Sequence, residues 1–269
     1  MEEQDQERRN PFKELSLTGH LAELRNRIIV ALIAIAAGSA LSYAFIEPIF
    51  AILARPLEAV LPPGTTLIFT SYPEAFFVYL KLAIVCGVFI SSPVILYEIW
   101  AFVAPGLYDH ERQLVLPFVL LSSIFFVGGG LFGYFVAFPA AFKFFASFGN
   151  KYLRLLPNVS EYFSLTIHLL LGFGAAFELP VFMALLGVVG IIDAKMLRKN
   201  RRYAILVNFI LAAVLTPTPD IMNQLILAVP LMLLYEISIV LVWLIGKRRA
   251  FSPVSSGDPG HPLTPPPRD

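Results

Sequence analysis

Charge is what this sequence has least of. Asp, Glu, Lys and Arg make up 14% of 269 residues, and 20 basic against 19 acidic side chains leave a net charge of +1. Nearly all of them lie between apolar stretches or at their ends, so no continuous basic surface exists for a polyanion and nucleic acid is excluded as a partner. Cysteine is scarcer still. Cys86 is the sole one, lies inside an apolar run, can form no intrachain disulfide and leaves the redox compartment open. His261 has no second ligand at a usable metal spacing, and no nucleophile stands beside a base in any defensible pattern. The expectation is a protein that is not an enzyme and needs no cofactor or metal.

Hydrocarbon is what the chain does have. It is 57% hydrophobic with a mean hydropathy of +0.74, far above an ordinary soluble domain, so it reads as an all-α integral membrane protein. A helix needs roughly 20 apolar residues to cross a bilayer. Runs of that kind fall at about 28–46, 75–100, 114–138 and 163–190, followed by 203–215 and 221–246. The fifth is short, and "TPTPD" (216–220) ends it, so the last two read as a tight hairpin at which the bilayer thins or a partner covers the deficit.

Six spans put both termini on one side. Arg8, Arg9, Lys13, Arg25 and Arg27, then Lys195, Arg198, Lys199, Arg201 and Arg202, then Lys247, Arg248 and Arg249 share that side, which the positive-inside rule makes cytoplasmic. The opposite connections carry only Arg55, Lys143, Lys151 and Arg154. The first 27 residues hold six acids and five basic residues, a composition unlike a cleavable signal or an organelle transit peptide. A bacterial or archaeal cytoplasmic membrane is the expected location.

Three segments follow in order. Residues 1–14 form an acidic extension, 15–246 a six-helix transmembrane domain, and 247–269 a Pro-rich cytoplasmic tail expected to be disordered. On the outer side, "EPIFAILARPLEAVLPPGTTLIF" alternates as a short interfacial helix would and is expected to stop at Pro62-Pro63-Gly64. Pro93, Pro117, Pro180, Pro230 and the Gly128-Gly129-Gly130 run fall inside spans, where neighbouring helices must re-satisfy the freed backbone groups.

Each ionised group at mid-membrane costs ~2.5 to 3.5 kcal/mol and needs a reason. Lys81 and Glu98 lie near the ends of the second span, where snorkelling suffices. Glu178, in "GFGAAFELPV", and Glu236, in "LLYEISIV", lie well inside their spans with no Lys or Arg at matching depth. A neutral carboxyl hydrogen-bonded within the bundle is the cheap solution for both. Asn223, Gln224, Asn208 and His168 allow a polar pocket, and Glu178 stays open between a functional and a structural role.

Before the first span, "TGHLAELRNRIIV" sets Leu21, Leu24 and Ile28 at helical spacing and Glu23 and Arg27 at i, i+4, so that helix begins ahead of the membrane. In the first cytoplasmic loop Trp100 and Tyr108 suit headgroup anchoring, but an exposed Phe102 and the acids Asp109 and Glu111 call for another reason. With Glu23 those acids form a patch able to take guanidinium groups in bidentate pairs.

Four blocks in order, "HLAELRNR", "SSPVILYEIWAFVAPGLYDHERQ", "GFGAAFELPV" and "LTPTPDIMNQ", resemble the TatC family, the receptor subunits of the twin-arginine protein translocase. The likeness covers about residues 15–246. It implies a concave, glove-like six-helix fold that binds twin-arginine signal peptides of folded proteins and exports them with the proton-motive force. It implies signal-peptide contacts at Glu23, Arg25, Phe102 and Glu111, and intramembrane partner contacts at Glu178 and Gln224. Pro56 and Asp220 match outer positions the family uses. The implied partners are the single-span proteins TatA and TatB, further copies of this chain, and membrane lipid. The rival reading is a proton-coupled small-molecule carrier using Glu178; a passive scaffold is the third.

Overall fold

A computed structural model describes residues 17–61, 66–103, 115–148, 156–215 and 221–250. Among them the regular structure is helical, joined by turns and short connections, with one isolated bridge between Ile68 and Asn158. The helices are α1 (Leu17–Ala44), α2 (Ile46–Glu58), α3 (Glu74–Val103), α4 (Val115–Phe132), α5 (Phe138–Ala146), α6 (Val159–Phe177), α7 (Leu179–Val189), α8 (Ala194–Lys199), α9 (Arg201–Leu215) and α10 (Ile221–Ala250). A π-helical turn, Gly133–Ala137, joins α4 to α5 without a break.

Five helical stretches are long and apolar enough to cross a membrane: Gly19–Ala44, Glu74–Phe102, Leu116–Ala146, Val159–Val189 and Gln224–Lys247. The sequence expects a sixth at 203–215, and the helix is there, but α9 has only 15 residues. At 1.5 Å per residue that is about 22 Å against a hydrocarbon core of about 30 Å. The third stretch extends through the π turn and α5 to Ala146, beyond the expected end at 138.

Helices α1 and α3 pack most extensively, and the reason is local. A Cβ on Gly87 would lie 2.6 Å from the backbone nitrogen of Ser39, and one on Gly38 would lie 2.8 Å from the Gly87 carbonyl oxygen, so the two backbones touch. Small residues permit this close approach where lipid supplies no hydrophobic drive between helices. Gly129 does the same for α4 and α6, its missing Cβ standing 2.3 Å from the Phe173 carbonyl oxygen. Around these seams Phe138, Phe163 and Phe173 are fully buried in the main core.

The connections between α1 and α3 and ahead of α6 are pinned by polar contacts. Helix α2 is amphipathic, as its sequence expects, and buries Ile46, Leu53, Ala54, Pro56 and Leu57. It ends at Glu58, while 62–65 lie outside the described residues. Pro56 has no N–H to return to the Ile52 carbonyl, and the Tyr134 hydroxyl donates to that oxygen instead at 2.7 Å. The Tyr162 hydroxyl donates to the neighbouring Leu53 carbonyl. Nearby, the buried Glu74 carboxylate accepts from the backbone N–H of Thr70 at 2.6 Å, Ser71 at 3.1 Å and Ser160 at 3.1 Å. One acid thereby joins the start of α3 to the start of α6.

Candidate functional site

Helix α1 begins well before its apolar run, so its first turns are free to carry polar side chains beside the last turns of α3. His20, Glu23 and Arg27 recur at i, i+3 and i+7 on α1; Glu98 and Phe102 recur at i, i+4 on α3. The two faces meet. The His20 and Phe102 rings stack with centroids 4.4 Å apart and planes 20° apart. Arg27 donates from Nε at 3.0 Å and from Nη2 at 2.6 Å to Oε1 of Glu23, and from Nη1 at 2.9 Å to Oε2 of Glu98.

The planar guanidinium explains this geometry, because its fork of N–H donors can serve two carboxylates at once, which an ammonium cannot do with the same fixed directions. The three side chains are about a quarter exposed or less. Two carboxylates therefore share one resident cation at the end of a cavity of about 550 Å³, lined by Gly19, Ala22, Glu23, Asn26, Arg27, Val30 and Glu98. This surface carries net negative charge within reach of an open apolar wall. It can accept a further guanidinium and the apolar segment attached to it.

The sequence-named residues divide as follows. Glu23 lines the cavity and Phe102 stacks on His20 near the α1–α3 contact. Phe102 belongs to the last turn of α3 and is half-buried, not exposed in a loop as its sequence context suggests. Arg25 is exposed and, among the described residues, reaches its neighbour, donating to Asn26 Oδ1 at 3.5 Å; the arginine that orders the carboxylates is Arg27. Glu111, with Tyr108 and Asp109, lies outside the described residues, as does Asp220. Trp100 is buried, stacked on Phe118 at 4.6 Å and donating from its indole to Ser122 Oγ at 3.2 Å.

Glu178 sits at the break between α6 and α7, where Pro180 opens the second helix, and its Oε1 is buried with no partner among the described residues. Gln224 lies elsewhere and donates to the Phe209 carbonyl at 3.1 Å, tying α10 to α9. His168 is exposed and donates from Nδ1 to the Ser164 carbonyl one turn back on its own helix at 2.6 Å, so it joins no pocket with Asn208. Pro56 is buried in α2 and acts through the Ile52 carbonyl it frees.

Two expectations need correction. Glu98 does not snorkel alone; it pairs with Arg27. Glu236 does have a cation at its depth, because Arg201 Nη2 reaches its Oε2 at 2.6 Å from the start of α9. Reasoning along single spans missed both, since each partner comes from another helix. The i, i+4 spacing of Glu98 and Phe102 was the available signal, placing that acid on the face of the aromatic already singled out.

The fold and site define a polytopic α-helical membrane protein with a cation-sharing acidic cluster at one end of its first two long helices. Residues 19–230 match the family described as Sec-independent protein translocase protein (TatC). The chain is similar to the TatC protein of Desulforapulum autotrophicum, 44% identical over 244 residues, covering 91% of this chain and 88% of that protein. It is also 44% identical over 234 residues to the TatC protein of Magnetococcus marinus, covering 87% and 86%. Its fold matches a crystal structure of the twin-arginine translocase receptor TatC with a TM-score of 0.69 and 39% identity, covering 84% of this chain and 99% of that one. A second crystal structure of that receptor gives 0.71 and 39%, covering 82% and 98%. The chain belongs to the TatC family of Sec-independent protein translocase subunits, transport proteins rather than enzymes.

Proposed function

We propose that this chain is the receptor that captures twin-arginine signal peptides, and that the surface built by Glu23, Glu98, Arg27 and Phe102 is where it does so. One observation carries the reading: Glu23 and Glu98 already hold a guanidinium, that of Arg27, in charge-assisted hydrogen bonds. The resident arginine shows what chemistry the cluster accepts. An incoming pair of guanidiniums meets two carboxylates here, with Glu111 called on by the family resemblance as a further acid for the same ligand, while the apolar segment that follows the pair runs along the wall of the adjoining cavity beside Val30. Arg25, exposed on the same helix end, tunes the approach of a basic ligand by repulsion.

The topology proposed with this reading has six spans, the short α9 included, with both termini in the cytoplasm and a concave, glove-like outline. Glu178 and Gln224 then contact the single-span partners TatA and TatB, further copies of this chain complete the working complex, and the proton-motive force drives export. Asp220 and Pro56 shape the outer face.

The test is binding of a labelled twin-arginine peptide to the purified full chain in detergent. Replacing both peptide arginines by lysines is expected to weaken binding at least tenfold, and Glu23→Lys or Glu111→Lys to abolish it. Equal affinity for the arginine and lysine peptides refutes the reading.

A further inference from the structure

A second cavity, of about 320 Å³, opens between α9 and α10. Its walls are apolar, formed by Ile205, Val229 and Leu233 among others, while Arg201 and Glu236 line it at the N-terminal end of α9 and Asn208 lines it farther along that helix. Seven residues separate Arg201 from Asn208, about 10 Å along the helix axis. Asn208 is only 5% exposed, and its Nδ2 has no hydrogen-bond partner among the described residues. A buried amide donor without an acceptor is costly, so this group favours a ligand that brings one.

The rim is strongly basic. The Tyr235 hydroxyl, on a residue that also lines the cavity, donates to the Leu197 carbonyl at 2.9 Å and holds the short helix α8 against the opening. Arg201 lines the cavity, and Lys195, Arg198, Lys199 and Arg202, carried on α8 and the start of α9, are all exposed. Among the described residues two carboxylates stand in or beside these helices: Asp193, which accepts from the Met196 N–H at 2.6 Å, and Glu236, paired with Arg201. The Arg201 pair is half exposed on both sides, leaving guanidinium donors free. A cavity between membrane helices with a basic rim, an apolar wall and a buried donor between the two matches one molecule in chemistry and order. A glycerophospholipid presents an anionic phosphate, then ester carbonyl acceptors, then hydrocarbon.

We propose that the α9–α10 cavity binds one anionic glycerophospholipid, with its phosphate on the Arg201 end, an ester carbonyl accepting from Asn208 Nδ2, and an acyl chain against Ile205, Val229 and Leu233. This site is separate from the acidic surface at α1 and α3 and does not depend on that surface's role. Bound lipid fills the deficit left by a helix too short for the hydrocarbon core.

The experiment is native mass spectrometry of the delipidated full chain titrated with phosphatidylglycerol or with phosphatidylcholine of the same acyl chains. Phosphatidylglycerol is expected to bind at least tenfold more tightly, and 10 mM inorganic phosphate is expected not to displace it. The double variant Arg201→Gln/Glu236→Gln removes the pair without stranding a charge, and Asn208→Leu removes the donor; each is expected to weaken phosphatidylglycerol at least threefold with helicity and melting temperature retained. Lys143→Gln, on α5, is the control expected to change nothing. Equal binding of the two lipids by the unaltered protein overturns the proposal, whether or not the variants fold. So does displacement by inorganic phosphate, or undiminished phosphatidylglycerol binding in both variants.

Discussion

Arg27 joins two carboxylates that belong to different helices, and its value lies in the shape of the guanidinium rather than its charge alone. Arg27→Lys keeps the charge but loses the fork, so one of the two acids is left without its partner. A melting temperature lower by a few degrees is expected in thermal unfolding, and an unchanged transition would mean that the bridge contributes nothing. Glu98 is the more informative position for binding. Glu98→Gln keeps the shape and removes one negative charge from the cavity, which is expected to weaken a twin-arginine peptide about tenfold, or about 1.4 kcal/mol. If affinity is unchanged while Glu23→Lys abolishes it, Glu98 serves only to hold Arg27. Tyr134 offers a third residue-level check. Tyr134→Phe deletes the hydroxyl that satisfies the Ile52 carbonyl freed by Pro56, at a cost of roughly 1 kcal/mol.

Helix pairs in this molecule are set by where side chains are missing. The three glycines 128, 129 and 130 look equivalent in sequence, yet a Cβ at Gly128 meets nothing within 4 Å while one at Gly129 meets the α6 backbone at 2.3 Å. Gly128→Ala is therefore expected to be neutral. Gly129→Ala forces α4 from α6 at a cost of about 1–3 kcal/mol, read as a lower melting temperature or loss of monodisperse protein on gel filtration. Similar behaviour of the two variants would contradict the α4–α6 contact. Glu74 acts at the same scale, since its carboxylate closes the starts of two helices with three backbone donors. Glu74→Ala is expected to lower the melting temperature and to expose the 66–73 connection to proteolysis. No motif announced this role, because a first-turn glutamate is ordinary until the other helix arrives.

Across the whole molecule, sequence and structure divide the work along a physical line. The apolar runs, their order, the amphipathic α2 and the early start of α1 were legible from composition and period, because the bilayer imposes a length and a polarity on each segment separately. Four short blocks of sequence were enough to point to the family. Partnerships were not legible: Glu98 with Arg27, Glu236 with Arg201, Trp100 with Ser122, and Pro56 with Tyr134 all cross from one element to another. Hydropathy is a property of one segment at a time, so it locates a charge without naming its counter-ion. The tertiary structure alone decided which side chains share a face, and therefore which acids are spoken for and which buried donor, Asn208, is left waiting for an acceptor.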